Sequence, residues 1–293
     1  MDTAALIHAL KASEGRIVLS ECIVSLPALL YNVTNAELAA SQGADLLLLN
    51  KFDVDKPVIN GMPKQIPSGE LIRELQRLTG RVLGANLEAP DPDLAMDNDE
   101  LWRASGGQMA TADNAVRLAD MGARFIVLTG NPGNGVSNKA ISLSLRAIKA
   151  SVGDRVMLVT GKMHSAGIAH ESGHNILKAD DVAEFVECGA DVILIPAPGT
   201  VPGMTLEAAQ HLIKTAHALG AMAMTAIGTS QEGAHVETIR QIALMSKMAG
   251  ADIHHIGDTG YMGLAIPENI LAYSVAIRGV RHTYARVARS INR

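Results

Sequence analysis

A lysine and a histidine stand near the end of a short apolar run, in the stretch Thr160-Gly161-Lys162-Met163-His164. Side chains two residues apart share a face of a β-strand, so Thr160, Lys162 and His164 are expected to point together into the site. A lysine is seldom buried without a partner. It can form a Schiff base with a carbonyl substrate, bind an anionic group as a charge, or anchor a structural ion pair, and the sequence leaves these three roles open.

A second strand end carries a carboxylate on the same face as an amide. Gly84, Asn86 and Glu88 alternate with apolar residues, so their side chains are expected to point together. We expect Glu88 to be the ionic partner of Lys162 and a candidate acid/base. Asn86 and His164 are candidates to polarise the substrate or to carry protons.

Further polar side chains follow the other apolar runs, and Glu21 and Asp258 are added to the candidate catalytic set because of this position. Asn50 and Asn131 are candidate substrate ligands for the same reason. His254 and His255 are expected on opposite faces of their strand, one toward the site and one in the helix layer. The remaining strand-end residues are Ser20, Asp53, Thr129, Thr225 and Thr229.

Two glycine-rich loops near the end of the chain, IGTSQEG and IGDTGYMG, predict an anion site. Glycine and hydroxyl residues can expose backbone N–H groups to a phosphate. Asp258 would repel that phosphate unless its side chain points away. The expected anion ligands are Gly228, Thr229, Ser230, Gly257, Thr259 and Gly260.

A third glycine-rich loop, TGNPGNGVSN, contains Gly130, Gly133 and Gly135 and ends in residues that can cap a helix, Ser137 or Asn138. It could cradle an anion or close over the site. The loop lacks the spacing of a nucleotide P-loop, so it does not support ATP binding.

One motif suggests a metal. His170-Glu171-Ser172-Gly173-His174 has the HExxH spacing that places two imidazoles on one face of a helix for zinc. Its two glycines, Gly167 before it and Gly173 within it, favour a loop over a helix. A zinc peptidase is therefore not favoured, whereas a metal site formed by His164, His170 and His174 stays open.

The composition excludes several classes of protein. Net charge is −5 with both signs dispersed, which does not fit a nucleic-acid-binding surface, and two cysteines are too few for a disulfide framework. Although 48% of residues are hydrophobic, no run reaches the ~20 residues of a membrane span, and the N-terminus does not resemble a secretion signal. We expect a cytoplasmic protein. The arginines of the C-terminal helix are expected to form a solvated face or a subunit contact.

The elements that position these residues follow from a repeated phrase, a helical stretch that closes on Gly-Ala or Gly-Ala-Asp before an apolar run. The glycine suits a helix C-cap, and a short apolar run suits a parallel strand covered on both faces. Eight strands alternating with helices predict one (β/α)8 barrel over residues 1–293, preceded by a short helix. The predicted strands are 17–20, 45–50, 82–87, 125–129, 156–160, 192–195, 221–226 and 253–256.

The repeats, together with IGTS and IGDTG, resemble the phosphate-binding (β/α)8 barrels that include aldolases, epimerases and phosphoenolpyruvate-type mutases and lyases. More narrowly, TGNPGNGVSN and GKMHSAGIAHESGH resemble an uncharacterised bacterial barrel family with no established reaction. The resemblance implies the fold and transfers no catalytic residue. Class I aldolases of this type carry their lysine on the sixth strand, whereas Lys162 follows the fifth. The Asp-rich metal loop of the mutase and isocitrate lyase group is missing.

The leading hypothesis is an enzyme that acts on a small anionic carbonyl metabolite by aldolase, lyase or isomerase chemistry without a required cofactor. The glycine-rich loops favour a phosphorylated metabolite. The alternatives are a metal-dependent hydrolase or lyase that uses a divalent metal, and a barrel that binds a metabolite without turning it over. No nucleic-acid or membrane partner is expected. A homo-oligomer is expected because barrels commonly pair.

Overall fold

A computed structural model describes residues 2–93, 103–289 and 291. Eight parallel strands pair in chain order and close into a barrel, because the first strand also pairs with the last. The predicted (β/α)8 fold is therefore confirmed. The strands are β1 Ile17–Ile23, β2 Leu46–Asn50, β3 Val82–Glu88, β4 Phe125–Thr129, β5 Met157–Gly161, β6 Val192–Pro196, β7 Met222–Ile227 and β8 Ile253–Ile256.

Helices separate the strands and cover the outside of the barrel, and the predicted N-terminal helix precedes β1. Side-chain caps start several of them: Thr111, Ser137 and Thr205 each accept a backbone N–H from the first turn. In the described part of the chain the helices are α1 Thr3–Ala12, α2 Asn35–Ser41, α3 Leu71–Thr79, α4 Ala112–Met121, α5 Asn138–Val152, α6 Ala179–Glu187, α7 Leu206–Ala218, α8 Val236–Ala249 and α9 Pro267–Ala288. None of these helices is long and apolar enough to cross a membrane.

The two faces of each strand have separate apolar cores. Phe125, Val159 and Met224 belong to the cluster inside the barrel, whereas Leu128, Leu158 and Ile193 belong to the larger cluster between strands and helices. A Cβ at Gly84 would overlap Phe125, so the missing side chain leaves room for this aromatic ring. The inside of the barrel is filled below its mouth, which leaves the carboxyl ends of the strands as the place for a site.

The Gly-Ala-Asp phrase has a structural role at the opposite end of the barrel. The aspartate side chain accepts the backbone N–H of a residue on the preceding strand: Asp45 from Val18 at 2.9 Å, and Asp191 from Leu158 at 2.8 Å. Asp252 accepts from Ala223 at 2.8 Å in the same way. The repeat thus joins neighbouring strands at their amino ends. It does not indicate which reaction takes place at the carboxyl ends.

The prediction that the C-terminal arginines form a solvated face or a subunit contact is wrong for two of them. Arg278 is not on a solvated face, because its side chain is 4% exposed and its Nη1 lies 2.5 Å from Asp45 Oδ2. Arg286 also pairs with Asp45, at 2.7 Å. Helix α9 contains a non-helical residue, Gly279, with a φ of 76°. This change of direction lets the end of the chain cover the amino ends of the strands. The homo-oligomer and the cytoplasmic location stay predictions.

Candidate active site at the mouth of the barrel

A pocket of about 110 Å³ opens at the carboxyl ends of the strands. Its walls come from β1, β2, the end of β4 and the loops that follow β4, β5, β7 and β8. Eleven of the residues singled out from the sequence line it: Glu21, Asn50, Thr129, Gly130, Asn131, His164, Gly228, Ser230, Gly257, Asp258 and Gly260. The structure therefore brings most of the predicted catalytic and substrate-binding residues together at one pocket, although Asn86, Glu88, Lys162, Thr229 and Thr259 do not line it.

Glu21 and His255 form the buried polar centre of the site. Glu21 Oε2 lies 2.9 Å from His255 Nε2, and the two side chains are 5% and 0% exposed. Burial, with a smaller contribution from Glu88, raises the pKa of Glu21 to about 8. Burial lowers the pKa of His255 to about 4. Both shifts favour an uncharged pair that holds its proton on the carboxyl group at neutral pH.

Side-chain amides link two further carboxyl groups across the mouth. Asn50 Nδ2 donates to Asp258 Oδ2 at 2.8 Å and to Asn131 Oδ1 at 3.2 Å. Asn131 in turn donates to Glu88, both from its side-chain amide and from its backbone N–H. Burial raises the pKa of Glu88, while the bonds from Asn131 and the charge of Lys51 oppose that rise. The amides thus hold Glu88 and Asp258 at a fixed separation across β2, β3, β4 and β8.

Glu232 is a pocket residue that the sequence reasoning missed. It is 4% exposed, and its Oε1 accepts the backbone N–H of Thr259 at 3.2 Å. Its Oε2 is buried and has no hydrogen-bond partner among the described residues. Burial raises its pKa to about 7, and the neighbouring Asp258 adds to the rise. The residue lies in a 3₁₀ turn, Gln231–Gly233, beyond the strand end that the sequence pattern marks.

The two predicted phosphate loops do not leave all their amides open. Gly260 N–H donates to Asp258 Oδ1 at 2.9 Å, and Thr259 N–H donates to Glu232. Asp258 does not point away, since it lines the pocket, and burial raises its pKa to about 7. Carboxyl groups of the protein therefore occupy two of the N–H groups expected for a phosphate.

The two threonines of these loops also differ from the expectation. Thr229 and Thr259 do not line the pocket. The Thr229 hydroxyl donates to the carbonyl of Thr200 at 2.7 Å. The Thr259 hydroxyl shares its one proton between the carbonyl oxygens of Asp258 and Leu264, both within hydrogen-bond distance. Both hydroxyls stabilise the loops instead of facing a ligand.

His164 lines the pocket as expected. Its Nδ1 accepts the backbone N–H of Ala166 at 3.0 Å, and burial lowers its pKa to about 4. A neutral imidazole whose Nδ1 accepts a hydrogen bond carries its proton on Nε2. His164 can therefore donate a hydrogen bond without bringing a positive charge.

The expected pairing of Lys162 with Glu88 is wrong. On β5 the inward side chains are Met157 and Val159, so Thr160 lies on the opposite side from the one predicted, and Lys162 comes after the end of the strand. Lys162 does not line the pocket, and its Nζ forms an ion pair with Glu171 and donates to the carbonyl of Val136 at 3.2 Å. Burial lowers its pKa to about 8. Of the three roles left open by the sequence, this geometry is that of the structural ion pair.

Asn86 lies inside the barrel, on the face predicted for it together with Glu88. It is 4% exposed and does not line the pocket, and its Oδ1 has no partner in the described part of the chain. His254 and His255 lie on opposite faces of β8, as predicted. His254 Nε2 lies 3.0 Å from the carbonyl oxygen of Gly15, away from the site.

The HExxH motif does not form a metal site. His170 and His174 lie in two separate 3₁₀ turns, Ala169–Glu171 and Gly173–Asn175, and both are exposed outside the pocket. Glu171, the residue between them, is bound to Lys162. Among residues 2–93 and 103–289, no three His, Cys, Asp or Glu side chains are arranged to hold a metal ion.

The barrel is similar in fold to solved structures of several enzymes. An archaeal fructose 1,6-bisphosphate aldolase matches with a TM-score of 0.59 and 14% identity, over 94% of this chain and 99% of that one. A Schiff base forming fructose-1,6-bisphosphate aldolase matches with a TM-score of 0.57 and 15% identity, over 94% of this chain and 98% of that one. Thiamine phosphate pyrophosphorylase from Pyrococcus furiosus matches with a TM-score of 0.50 and 11% identity, over 91% and 97%. At these identities the likeness shows the fold alone.

Sequence comparison gives the family. No curated protein sequence matches significantly. A family model described as a domain of unknown function (DUF7916) matches residues 1–293, and the chain therefore belongs to that family.

Proposed function

We propose that this barrel is an enzyme of lyase or isomerase type that transfers a proton next to the carbonyl group of a small polar metabolite. The observation that carries the proposal is the buried pair formed by Glu21, which lines the pocket, and His255 behind it. A general acid or base works best when its pKa lies near the working pH, and burial brings the pKa of Glu21 to about 8.

The neighbouring groups suit the same reaction. The ionised form of Glu21, which is the minor form at neutral pH, takes the proton from the carbon next to the carbonyl group and then returns it, while His255 fixes the orientation of the carboxyl group through Nε2. The Nε2–H of His164 donates to the substrate oxygen on which negative charge develops. Asp258, whose pKa is raised to about 7, is a second group that can give or take a proton.

The arrangement favours proton transfer without a covalent imine. Lysine is missing from the described residues that line the pocket, and Lys162 is bound to Glu171. The sixth strand, Val192–Pro196, has the sequence VILIP and so has no lysine either. Borohydride reduction in the presence of carbonyl metabolites, followed by mass analysis, tests this point, and an adduct on Lys162 would restore the imine mechanism.

An anionic group on the substrate has limited room. The amides of Thr259 and Gly260 are bound to carboxyl groups, which leaves the part of the wall formed by Gly228 and Ser230. Phosphorylated substrates therefore belong in the test, together with unphosphorylated analogues of each.

The experiment follows deuterium uptake, because it detects proton abstraction without knowledge of the product. Purified protein is incubated in D2O with keto acids, aldehydes, sugars and their phosphates, and ¹H NMR records the loss of signals from C–H groups next to the carbonyl. We expect exchange that Glu21→Gln lowers by ~10²-fold or more. Glu14→Gln, whose side chain is 77% exposed in the wild type, is the matched control.

Two other results would change the assignment. Binding of a metabolite without exchange or turnover would support the non-catalytic barrel. Activity that appears only on adding zinc, manganese or iron, with matching metal content by elemental analysis, would support the metal-dependent enzyme.

A further inference from the structure

We propose that the ligand of this pocket carries a positively charged nitrogen, as in a small primary amine, and that Glu232 and Asp258 bind it. The inference deepens the proposed function and rests on it for the location of the site. It changes the expected substrate from an anion to a cation or a zwitterion.

The charges of the lining residues give the first argument. Glu21, Glu232 and Asp258 are acidic, and no lysine or arginine of the described residues lines the pocket. The two imidazoles nearby do not supply the missing positive charge, because burial lowers the pKa of His164 and of His255 to about 4. A phosphate would meet three acidic groups and no cation. An ammonium group would meet three acceptors.

Glu232 gives the second argument, which is independent of the charge count. Its side chain is almost completely buried, yet Oε2 has no hydrogen-bond partner in the part of the chain that the structure describes. Buried polar atoms in native proteins nearly always have a partner. A ligand N–H in the pocket would provide it, and a charged donor would form the stronger bond.

Asp258 provides a second acceptor beside Glu232. Its Oδ2 accepts from Asn50 and its Oδ1 from the backbone of Gly260, so the carboxyl group is held in place before a ligand arrives. The charge of Glu21 raises the pKa of Asp258, and the charge of Asp258 raises the pKa of Glu232, so the charged forms of these carboxyl groups repel one another. Protons bound to these carboxyl groups reduce the repulsion when the pocket is empty. A bound ammonium group would reduce it instead and would displace those protons.

The geometry favours an organic cation over a metal ion. The described residues do not place three His, Cys, Asp or Glu ligands together. An ammonium group needs hydrogen-bond acceptors in suitable positions and does not need a closed coordination shell.

The probe is ethanolamine, with glycerol as a neutral molecule of similar size and inorganic phosphate as the anion. Saturation-transfer NMR detects weak binding to the intact protein without turnover. We expect a signal from ethanolamine that grows as the pH rises from about 6 to 8, since the carboxyl groups then ionise more readily. Calorimetry in two buffers of different ionisation enthalpy should show proton release.

Glu232→Gln keeps the shape of the side chain and removes its charge, so we expect ethanolamine to bind about tenfold more weakly or not at all. Glu237→Gln, an exposed position in the first turn of α8, changes the net charge equally and should bind as the wild type does. Circular dichroism confirms the fold of each variant. Asp258→Asn is the second variant if Glu232→Gln does not fold.

Equal ethanolamine binding by wild type and Glu232→Gln would overturn the inference, as would phosphate binding without amine binding. Stoichiometric displacement of ethanolamine by Mn²⁺ or Zn²⁺ would replace it with a metal site. Amine binding that depends on Glu232 but without deuterium exchange on any carbonyl compound would refute the proposed reaction and leave the cation site standing. Deuterium exchange on a neutral substrate without amine binding would refute the cation site and leave the proposed reaction standing.

Discussion

Glu21 on β1 and His255 on β8 are joined by a 2.9 Å hydrogen bond across the seam where the first strand pairs with the last. Both side chains point into the barrel, and both are withdrawn from water. Closure of the barrel thus buries the carboxyl group of Glu21, and this burial makes it hard to ionise. This placement costs stability as the pH rises, and it provides a proton at the pocket wall.

We expect the free energy of unfolding to fall between about pH 6.5 and pH 8, because below this range the lowered pKa values of His164, His254 and His255 act in the opposite direction. The pKa of Glu21 is raised to about 8 in the folded protein, so in this range the folded state keeps a proton that the unfolded chain has lost. Raised pKa values of Glu232 and Asp258 act in the same direction. Glu21→Gln should make the dependence shallower and raise stability at pH 8, while Glu14→Gln leaves it unchanged. Urea unfolding followed by circular dichroism measures this, and equal slopes for wild type and Glu21→Gln would count against the raised pKa.

The difference between β3 and β5 shows what the sequence could predict. In β3, glycine, asparagine and glutamate alternate with apolar residues, so only one face can be the packed outer face, and the prediction for Asn86 and Glu88 is confirmed. In β5, MLVTG is apolar on both faces, so alternation does not identify the inward one. Gly161, with a φ of 150°, then ends the strand before Lys162. The alternation of inward and outward side chains along β5 therefore does not predict where the Lys162 side chain points.

The sequence predicts the site residues that stand at or just after the end of a predicted strand, as Glu21, Asn50 and Asp258 do. It does not predict Glu232, because the path of a loop decides whether its side chains turn toward the pocket. The 3₁₀ turn that places Glu232 against Thr259 N–H depends on contacts between two loops, and periodicity does not record such contacts.

Asp45 should contribute more to stability than the other aspartates of the repeat. Asp45→Asn keeps an acceptor for the Val18 N–H but leaves the buried Arg278 without its counter-ion, a change that costs ~3–5 kcal/mol. Asp191→Asn should cost less, because Asp191 accepts from Leu158 without an arginine. Asp154→Asn, where the wild-type side chain is 93% exposed, is the control. Urea unfolding gives the three values, and equal losses at Asp45 and Asp191 would contradict the role of Arg278.

The Lys162–Glu171 pair should behave as a structural contact. Glu171→Gln leaves a buried ammonium group without its counter-ion and should lower stability by ~1–3 kcal/mol. Lys162→Met should cost less, because the glutamate is 15% exposed and can reach water. Combining both should recover part of the loss from Glu171→Gln. Deuterium exchange should persist in a folded Lys162→Met protein. Complete loss of exchange there, with retention in Glu171→Gln, would instead indicate a chemical role for the lysine.

Gly228 should be required for the shape of the pocket. A Cβ at this position would overlap Sδ of Met163, and both residues line the pocket. Met163 is 6% exposed, so its side chain has little room to move without entering the pocket or displacing the loop. Gly228→Ala should therefore weaken ethanolamine binding and slow deuterium exchange. Gly69→Ala is the matched control, because a Cβ there has no atom within 4 Å. Met163→Ala makes space for the new methyl group, so the double variant should regain most of the binding lost in Gly228→Ala. If the double variant binds no better, Gly228 acts through the conformation of its loop and not through the space beside Met163.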